Sequence, residues 1–490
     1  MSRFRPLLLP TALAVGLSTV LAAPAASAQS PAEAECDTTS APYNYVVLYQ
    51  PRTPQAQVDA ELTAKCGDRV AYYPEIGVAV ASSRNADFAD LVGVHRAYSG
   101  AREVAHPATT GAAAARAQAR AEIETEETVE VVTTTDVSAE QWDMRMIKAP
   151  QANAIDEGSS SVTVGVLDSG IEPTHPALVG ALDPTTSAGC NTGAPDTDPA
   201  AWAPTTSDHG THVAGTIAGK DTARGFTGIA PGVRMASVKV VNDDGYIFPE
   251  AAVCGFMWAA EHRFDVTNNS YYVDPGMFYC PTQPGDAAAY EAVRRAVAYS
   301  HQRGVLNVAA AGNSGFDLTD PPADDPNRGH AVDAGCKILP KSLDDVVTVS
   351  AVGYEGTKSS YSNYGSGEVD VTAPGGDRAQ LPPEGEGAGC PVSSVFGGEY
   401  GTKCGTSMAA PHAAGVAALI ASKRPHLPPK AVAALLRAKA DSVACDGAED
   451  CTGPAAKNSF YGHGLVDALA AVRGSRERAG RRQGRRCPPR

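Results

Sequence analysis

After its first 28 residues this 490-residue chain has no apolar run long enough to span a bilayer, which argues against a later membrane anchor. It also lacks net positive charge. Forty Lys and Arg stand against 55 Asp and Glu, a formal −15, so a nucleic-acid-binding protein is disfavoured. No internal repeat is visible, and no segment reads as an oligomerisation helix, so a monomer is the default expectation. Aromatic residues are only 6% and charged residues 19%, but 43% of the chain is hydrophobic, enough for a sizeable core. Cysteine, by contrast, is plentiful. Eleven is an odd number and high for a reducing compartment.

Residues 1–28 read as a secretory signal. Arg3 and Arg5 precede an apolar stretch from Leu7 to Ala23, and Ala26-Ser27-Ala28 fits a cleavage site. Export makes the cysteines disulfide candidates. Residues 29–106 alternate short apolar runs (Tyr45 to Tyr49, Gly77 to Val80) with helix-like stretches (Val58 to Lys65, Ala86 to Val94), as in a small α+β domain. Residues 107–140, rich in Ala, Glu and Thr, read as a linker. Residues 141–472 alternate apolar strands with Ala-rich helices, the pattern of an α/β fold with a parallel sheet. Residues 473–490 carry eight Arg and one Glu and read as a coreless tail. Length alone, at ~150 residues per domain, suggests about three domains; the segments instead leave one large one. Residues 141–472 hold 22 basic and 37 acidic side chains, so that body alone is acidic.

Four stretches carry chemistry. Val162 to Gly170 is a near-continuous apolar run ending in Asp168-Ser169-Gly170, as in a strand buried on both faces with a carboxylate at its carboxyl end. Asp208-His209-Gly210-Thr211-His212-Val213-Ala214-Gly215 places His209 at the start of a helix of small residues; an i, i+3 metal pair with His212 finds no third ligand at a sensible spacing. Gly405-Thr406-Ser407-Met408-Ala409-Ala410-Pro411-His412 places Ser407 near a helix N-terminus, where developing negative charge is favoured. Val305 to Asn313 is another buried strand ending in Gly312-Asn313, whose side-chain amide is a candidate oxyanion donor. Singly each is ambiguous: a turn carboxylate, a helix-start His, an N-cap Ser, a loop Asn.

Together, Asp, His and Ser in that chain order, in these surroundings, resemble the subtilisin-like serine peptidases. The resemblance covers 141–472 well and 29–106 more loosely, as the family's inhibitory propeptide. It implies a doubly wound, mainly parallel sheet of subtilisin type behind a ferredoxin-like α+β propeptide domain. It implies a secreted serine endopeptidase made as a zymogen, with polypeptide substrates and its own propeptide as intramolecular inhibitor. Ser407 would be the nucleophile, His209 the base and Asp168 its orienting partner. Asn313 and the Ser407 N–H would bind the oxyanion. Substrate would lie along Ser270, Tyr271, Tyr272 and Gly312, and the maturation cut would fall in 107–140.

Departures matter as much. The family's Ser-x-Gly strand reads Asn268-Asn269-Ser270-Tyr271-Tyr272 here, which predicts a restricted P1 preference. The chemistry requires no cofactor. A carboxylate of the family's main calcium site is missing at His175-Pro176-Ala177-Leu178, and the loop Lys220 to Gly225 differs, so that site is not carried over. The acidic insert Asp317 to Asp325 is an alternative calcium candidate, with a solvated loop as the plainer reading. Cys390 with Cys404, Cys445 with Cys451 and Cys36 with Cys66 are the expected disulfides. Cys190, Cys254, Cys280 and Cys336 allow three pairings, and Cys487 is the odd one. Rival readings are a dead, peptide-binding relative, an acyl-transferring ligase or cyclase, and an Arg tail that targets an anionic cell surface.

Overall fold

The computed structural model describes residue 36 and residues 39–107 and 129–473. The expected signal segment, residues 1–28, and all of the Arg tail but Arg473, with Cys487, lie outside the described residues. The central sheet has seven strands. From one edge they are Val371–Pro374, Val346–Val352, Leu306–Ala310, Val266–Asn269, Thr163–Asp168, Arg234–Lys239 and Ala188–Gly189, all parallel. This is the expected doubly wound sheet. Thr163–Asp168 is buried throughout, which is why it reads as an unbroken apolar run.

Side chains alternate between two cores. Val164 and Val166 join the core under the helices His209–Ala218 and Thr406–Lys423. Leu167 joins the opposite core, built on Pro249–Glu261 and Asp286–Gln302. Strand order reverses on either side of Thr163–Asp168. That opens a crevice at the carboxyl ends of the strands, where such sheets bind ligands.

Residues 43–105 form a four-stranded antiparallel sheet in the order Gly67–Tyr73, Val78–Ser83, Tyr43–Leu48, Ala97–Tyr98. Helices Gln55–Ala64 and Phe88–Val92 make the βαββαβ order of a ferredoxin-like unit. Tyr45 and Val47 face its own core, while Val46, Val78 and Tyr98 face outward into the core on Pro249–Glu261 and Asp286–Gln302. Polar contacts follow that seam: Arg295 donates to the Tyr49 and Ile76 carbonyls at 2.8 and 3.0 Å, and Tyr73 Oη donates to Gly193 O at 2.8 Å.

The expected linker 107–140 is shortened by the structure. Glu130–Val131 pairs antiparallel with Gly401–Thr402, and Val137 is fully buried, so residues 129–140 are part of the large domain. The apolar residues that anchor this segment are too few to show a period in the sequence.

Among the described residues five disulfides are formed. Cys36–Cys66, Cys390–Cys404 and Cys445–Cys451 pair as expected, and the open four resolve as Cys190–Cys254 and Cys280–Cys336. No helix among the described residues is long and apolar enough to cross a membrane.

Candidate active site

Asp168 is the last residue of its strand and is almost fully buried. His209 is the first residue of the helix His209–Ala218. The helix start comes this close to the strand end because residue 210 is glycine. A Cβ there would stand 2.5 Å from Gly170 O and 3.1 Å from Asp168 Oδ1. His209 Nδ1 is 2.8 Å from Asp168 Oδ1. A carboxylate oxygen accepts, so Nδ1 carries the proton and Nε2 is the acceptor nitrogen of the neutral ring.

Ser407 is the second residue of the helix Thr406–Lys423, not its cap; that place belongs to Gly405. Its Oγ donates to Ser270 O at 3.3 Å, while Ser270 Oγ donates to Ser407 O at 2.8 Å. The second bond has a backbone cause. Pro411 stands four residues on and has no N–H to give to Ser407 O, so a side chain supplies the donor.

Asn313 accepts the Thr406 amide and hydroxyl at 2.9 and 2.7 Å through Oδ1, which turns Nδ2 toward Gly405. A Cβ on Gly405 would lie 3.3 Å from Asn313 Nδ2 and 3.6 Å from the Ser407 amide nitrogen. Two N–H donors therefore border one small volume beside Ser407, and glycine leaves it open.

Asp168, His209, Asn313 and Ser407 line a single cleft of about 580 Å³, together with Ser270, Tyr271, Tyr272 and Gly312. All eight residues singled out from the sequence meet there. Tyr271 Oη donates to Asn269 Oδ1 at 3.2 Å, and burial, with the Asp168 charge behind it, pushes the phenol pKa well up. Tyr272 packs on a separate apolar cluster around Met277, Phe278, Ile338 and the Cys280–Cys336 bridge. Its hydroxyl accepts from Asn327 Nδ2 at 3.1 Å. His212 points away from the cleft: it is fully buried against Gly401 O, and desolvation drives its pKa far down. It is a neutral structural histidine.

Sequence reasoning missed three residues. Lys403, almost fully buried, pairs with Asp208 at 3.1 Å and lines the cleft. Asn363 accepts the amides of Ser314 and Phe316 at 3.1 and 2.9 Å and donates to Ala311 O at 3.0 Å, bracing the Asn313 loop. Asp143 bonds His412 inside the protein. Lys403 stands just ahead of the Ser407 motif but pairs with Asp208, and Asn363 and Asp143 also act on segments far from them in sequence, so no local pattern marks them.

The calcium candidates hold other partners. Asp317 closes a turn on Thr319, and Asp325 accepts the Phe278, Asn327 and Arg328 amides. In the loop Lys220 to Gly225, Asp221 takes the Tyr400 hydroxyl and the Ala223 and Arg224 amides. The Arg224 guanidinium lies over the Tyr400 ring and donates to Thr134 O at 2.9 Å, so a cation of the chain's own sits there. Asp317, Asp325 and Asp221 thus already serve donors of the chain itself. Among the described residues no group of three or more His, Cys, Asp or Glu gathers in a metal-holding arrangement.

Residues 159–464 match the subtilase family. Subtilisin DY of Bacillus licheniformis is 31% identical over 330 residues, 67% of this chain and 96% of that one. The alkaline protease of Shouchella clausii is 32% identical over 349 residues, 71% of this chain and 73% of that one. Among solved structures, the epidermin leader peptide processing serine protease of Staphylococcus aureus superposes with a TM-score of 0.66 at 21% identity, over 88% of this chain and 98% of that one. The nisin leader peptidase of Lactococcus lactis does so with a TM-score of 0.55 at 22% identity, over 69% and 95%. At these identities the two structures speak for the fold alone.

Proposed function

The chain belongs to the subtilase family of serine endopeptidases, and from that premise we propose that Asp168, His209 and Ser407 are its catalytic triad, in an enzyme exported as a zymogen. The observation that carries this reading is the 2.8 Å His209–Asp168 bond in the same cleft as a serine at the start of a helix. Ser407 Oγ attacks the scissile carbonyl carbon while His209 Nε2 takes its proton. The Asp168 carboxylate holds the Nδ1–H tautomer and balances the imidazolium that forms. The tetrahedral oxyanion enters the volume kept open by Gly405, between Asn313 Nδ2 and the Ser407 N–H. Collapse passes the proton from Nε2 to the leaving amine and leaves an acyl-enzyme, which water opens by the same steps in reverse. The two rings Tyr271 and Tyr272 along the cleft support a restricted P1 preference.

The zymogen reading has its own support. The last helix of the N-terminal domain, Gly100–Ala105, packs its first residue against Phe248, Pro275 and Asp274, and Asp274 lines the cleft. The described chain resumes at Val129 and pairs along Gly401–Thr402, next to cleft-lining Lys403. With both flanks held, the maturation cut is expected in 108–128. The signal segment and five disulfides support export.

A fluorophosphonate probe tests the triad. It is expected to label the purified enzyme on Ser407, and Ser407→Ala is expected to lose label, peptidase activity and maturation together. Near-wild-type turnover in that variant would overturn the assignment. N-terminal sequencing of active secreted enzyme is expected to start within 108–129; a start at Gln29 would overturn the zymogen.

A further inference from the structure

The helix that carries Ser407 also holds a buried pair with no place in the triad. His412 Nδ1 lies 2.8 Å from Met408 O, and Nε2 lies 3.0 Å from Asp143 Oδ2. A carbonyl oxygen only accepts, so Nδ1 carries a proton and donates it to Met408 O, while Nε2 shares the second bond with the Asp143 carboxyl group. His412 and Asp143 are both 0% exposed. Asp143 lies 269 positions away, on the short helix Trp142–Met146. Its neighbour Trp142 donates to Ala388 O at 2.8 Å, next to the disulfide-closed segment that begins at Cys390.

A fully buried polar pair is a poor source of stability, since apolar side chains of similar volume usually do as well or better. What it supplies is direction. The first turn of this helix needs that. Pro411 has removed the backbone donor to Ser407 O, and Ser270 Oγ takes its place. One residue further, Met408 O is gripped by His412. The turn bearing Ser407 is thus tied to two other segments of the domain by side chains.

We propose that His412, oriented by Asp143, is a positioning residue for the peptidase reaction. Its Nδ1–H holds the Met408 carbonyl and with it the Ser407 turn in attacking geometry. This rests on Ser407 being the nucleophile.

The test uses mature enzyme prepared from the full chain. An asparagine places its amide N–H near the Nδ1 position, so His412→Asn is expected to keep kcat within about threefold of wild type. His412→Gln reaches toward Asp143 instead and is expected to lose about tenfold or more in kcat, with KM within about twofold. Asp143→Asn can donate to Nε2 while Nδ1 keeps its proton, and is expected to stay within about threefold. Asp143→Leu, which leaves the ring unheld, is expected to follow His412→Gln. Equal losses in His412→Asn and His412→Gln that track their melting temperatures would overturn the proposal, as would wild-type kcat in His412→Gln. Should the His412 variants not fold, the Asp143→Asn and Asp143→Leu pair decides alone, and equal kcat in the two would overturn it. Failure of the nucleophile assignment shows elsewhere, as fluorophosphonate label retained by Ser407→Ala.

Discussion

Gly405 shows how much a missing side chain does here. Its φ of +152° lies in the region that favours glycine, and a Cβ would intrude between Asn313 Nδ2 and the Ser407 amide. Gly405→Ala is therefore expected to cost more in rate than in stability. Losing one donor of an oxyanion site costs on the order of 10²–10³ in kcat, a magnitude measured on a subtilisin. Gly405→Ala is expected to fall near that range in the folded fraction, with a melting temperature lowered by the backbone strain, about 1–3 kcal/mol. A large drop in melting temperature with kcat preserved in the folded fraction would contradict it. Residues at this scale divide by how local their signal is. Asp168 ends a strand, His209 and Ser407 stand at helix starts, and Asn313 follows the strand Leu306–Ala310 by three residues, so the pattern around them marks them. Lys403, Asn363 and Asp143 act on partners remote in sequence, and no periodicity encodes that.

Among the elements, the segment closed by Cys390–Cys404 stands out. It contains Val392–Val395 and Glu399–Thr402, the hairpin whose second strand also pairs Glu130–Val131, and it ends three residues before Ser407. Opening a loop of this length, 14 positions between cysteines, is expected to cost about 3 kcal/mol by chain entropy. Denaturant unfolding of Ser407→Ala with and without Cys390→Ser/Cys404→Ser measures this. An unchanged midpoint would show that the hairpin and the core beneath it already close the loop. The same hairpin explains why the 107–140 boundary is misread from sequence. Glu130–Val131 is a two-residue edge strand with exposed side chains, held by backbone bonds to Gly401–Thr402. Backbone pairing of that kind leaves no hydrophobic period. The long strands and helices do leave one, and their positions were legible.

For the whole molecule, the seam between the N-terminal domain and the large domain carries a proton-linked term. Glu250 is 2% exposed on Pro249–Glu261, and Val80 of the N-terminal sheet and the Glu250 Cβ crowd the same point beside Gly193. Burial pushes the Glu250 carboxyl from its ordinary 4.5 up to about 8. The folded chain therefore holds a proton that the unfolded chain gives up. The associated stability is fully present below pH 4.5 and is lost as pH rises through about 8. The melting temperature of full-length Ser407→Ala is expected to decline in part for this reason between about pH 5 and about pH 9, and Glu250→Gln is expected to flatten the decline. Parallel profiles for the two proteins would show that Glu250 is not the group responsible.

What the sequence by itself determined is what short-range pattern can hold: an α/β alternation with a parallel sheet, a small α+β domain ahead of it, and the motifs that carry Asp168, His209, Asn313 and Ser407, whose joint resemblance to the subtilisin-like peptidases implied the doubly wound and ferredoxin-like forms. Two-faced burial makes continuous apolar runs, and small residues mark helices that pack closely, so these features are written locally. The tertiary structure alone decided the Cys190–Cys254 and Cys280–Cys336 pairing, the edge strand at Glu130, and the partners of Asp143, Asn363 and Lys403. These depend on which distant backbones meet, and a carboxylate or an amide carries no mark of the remote group it will touch.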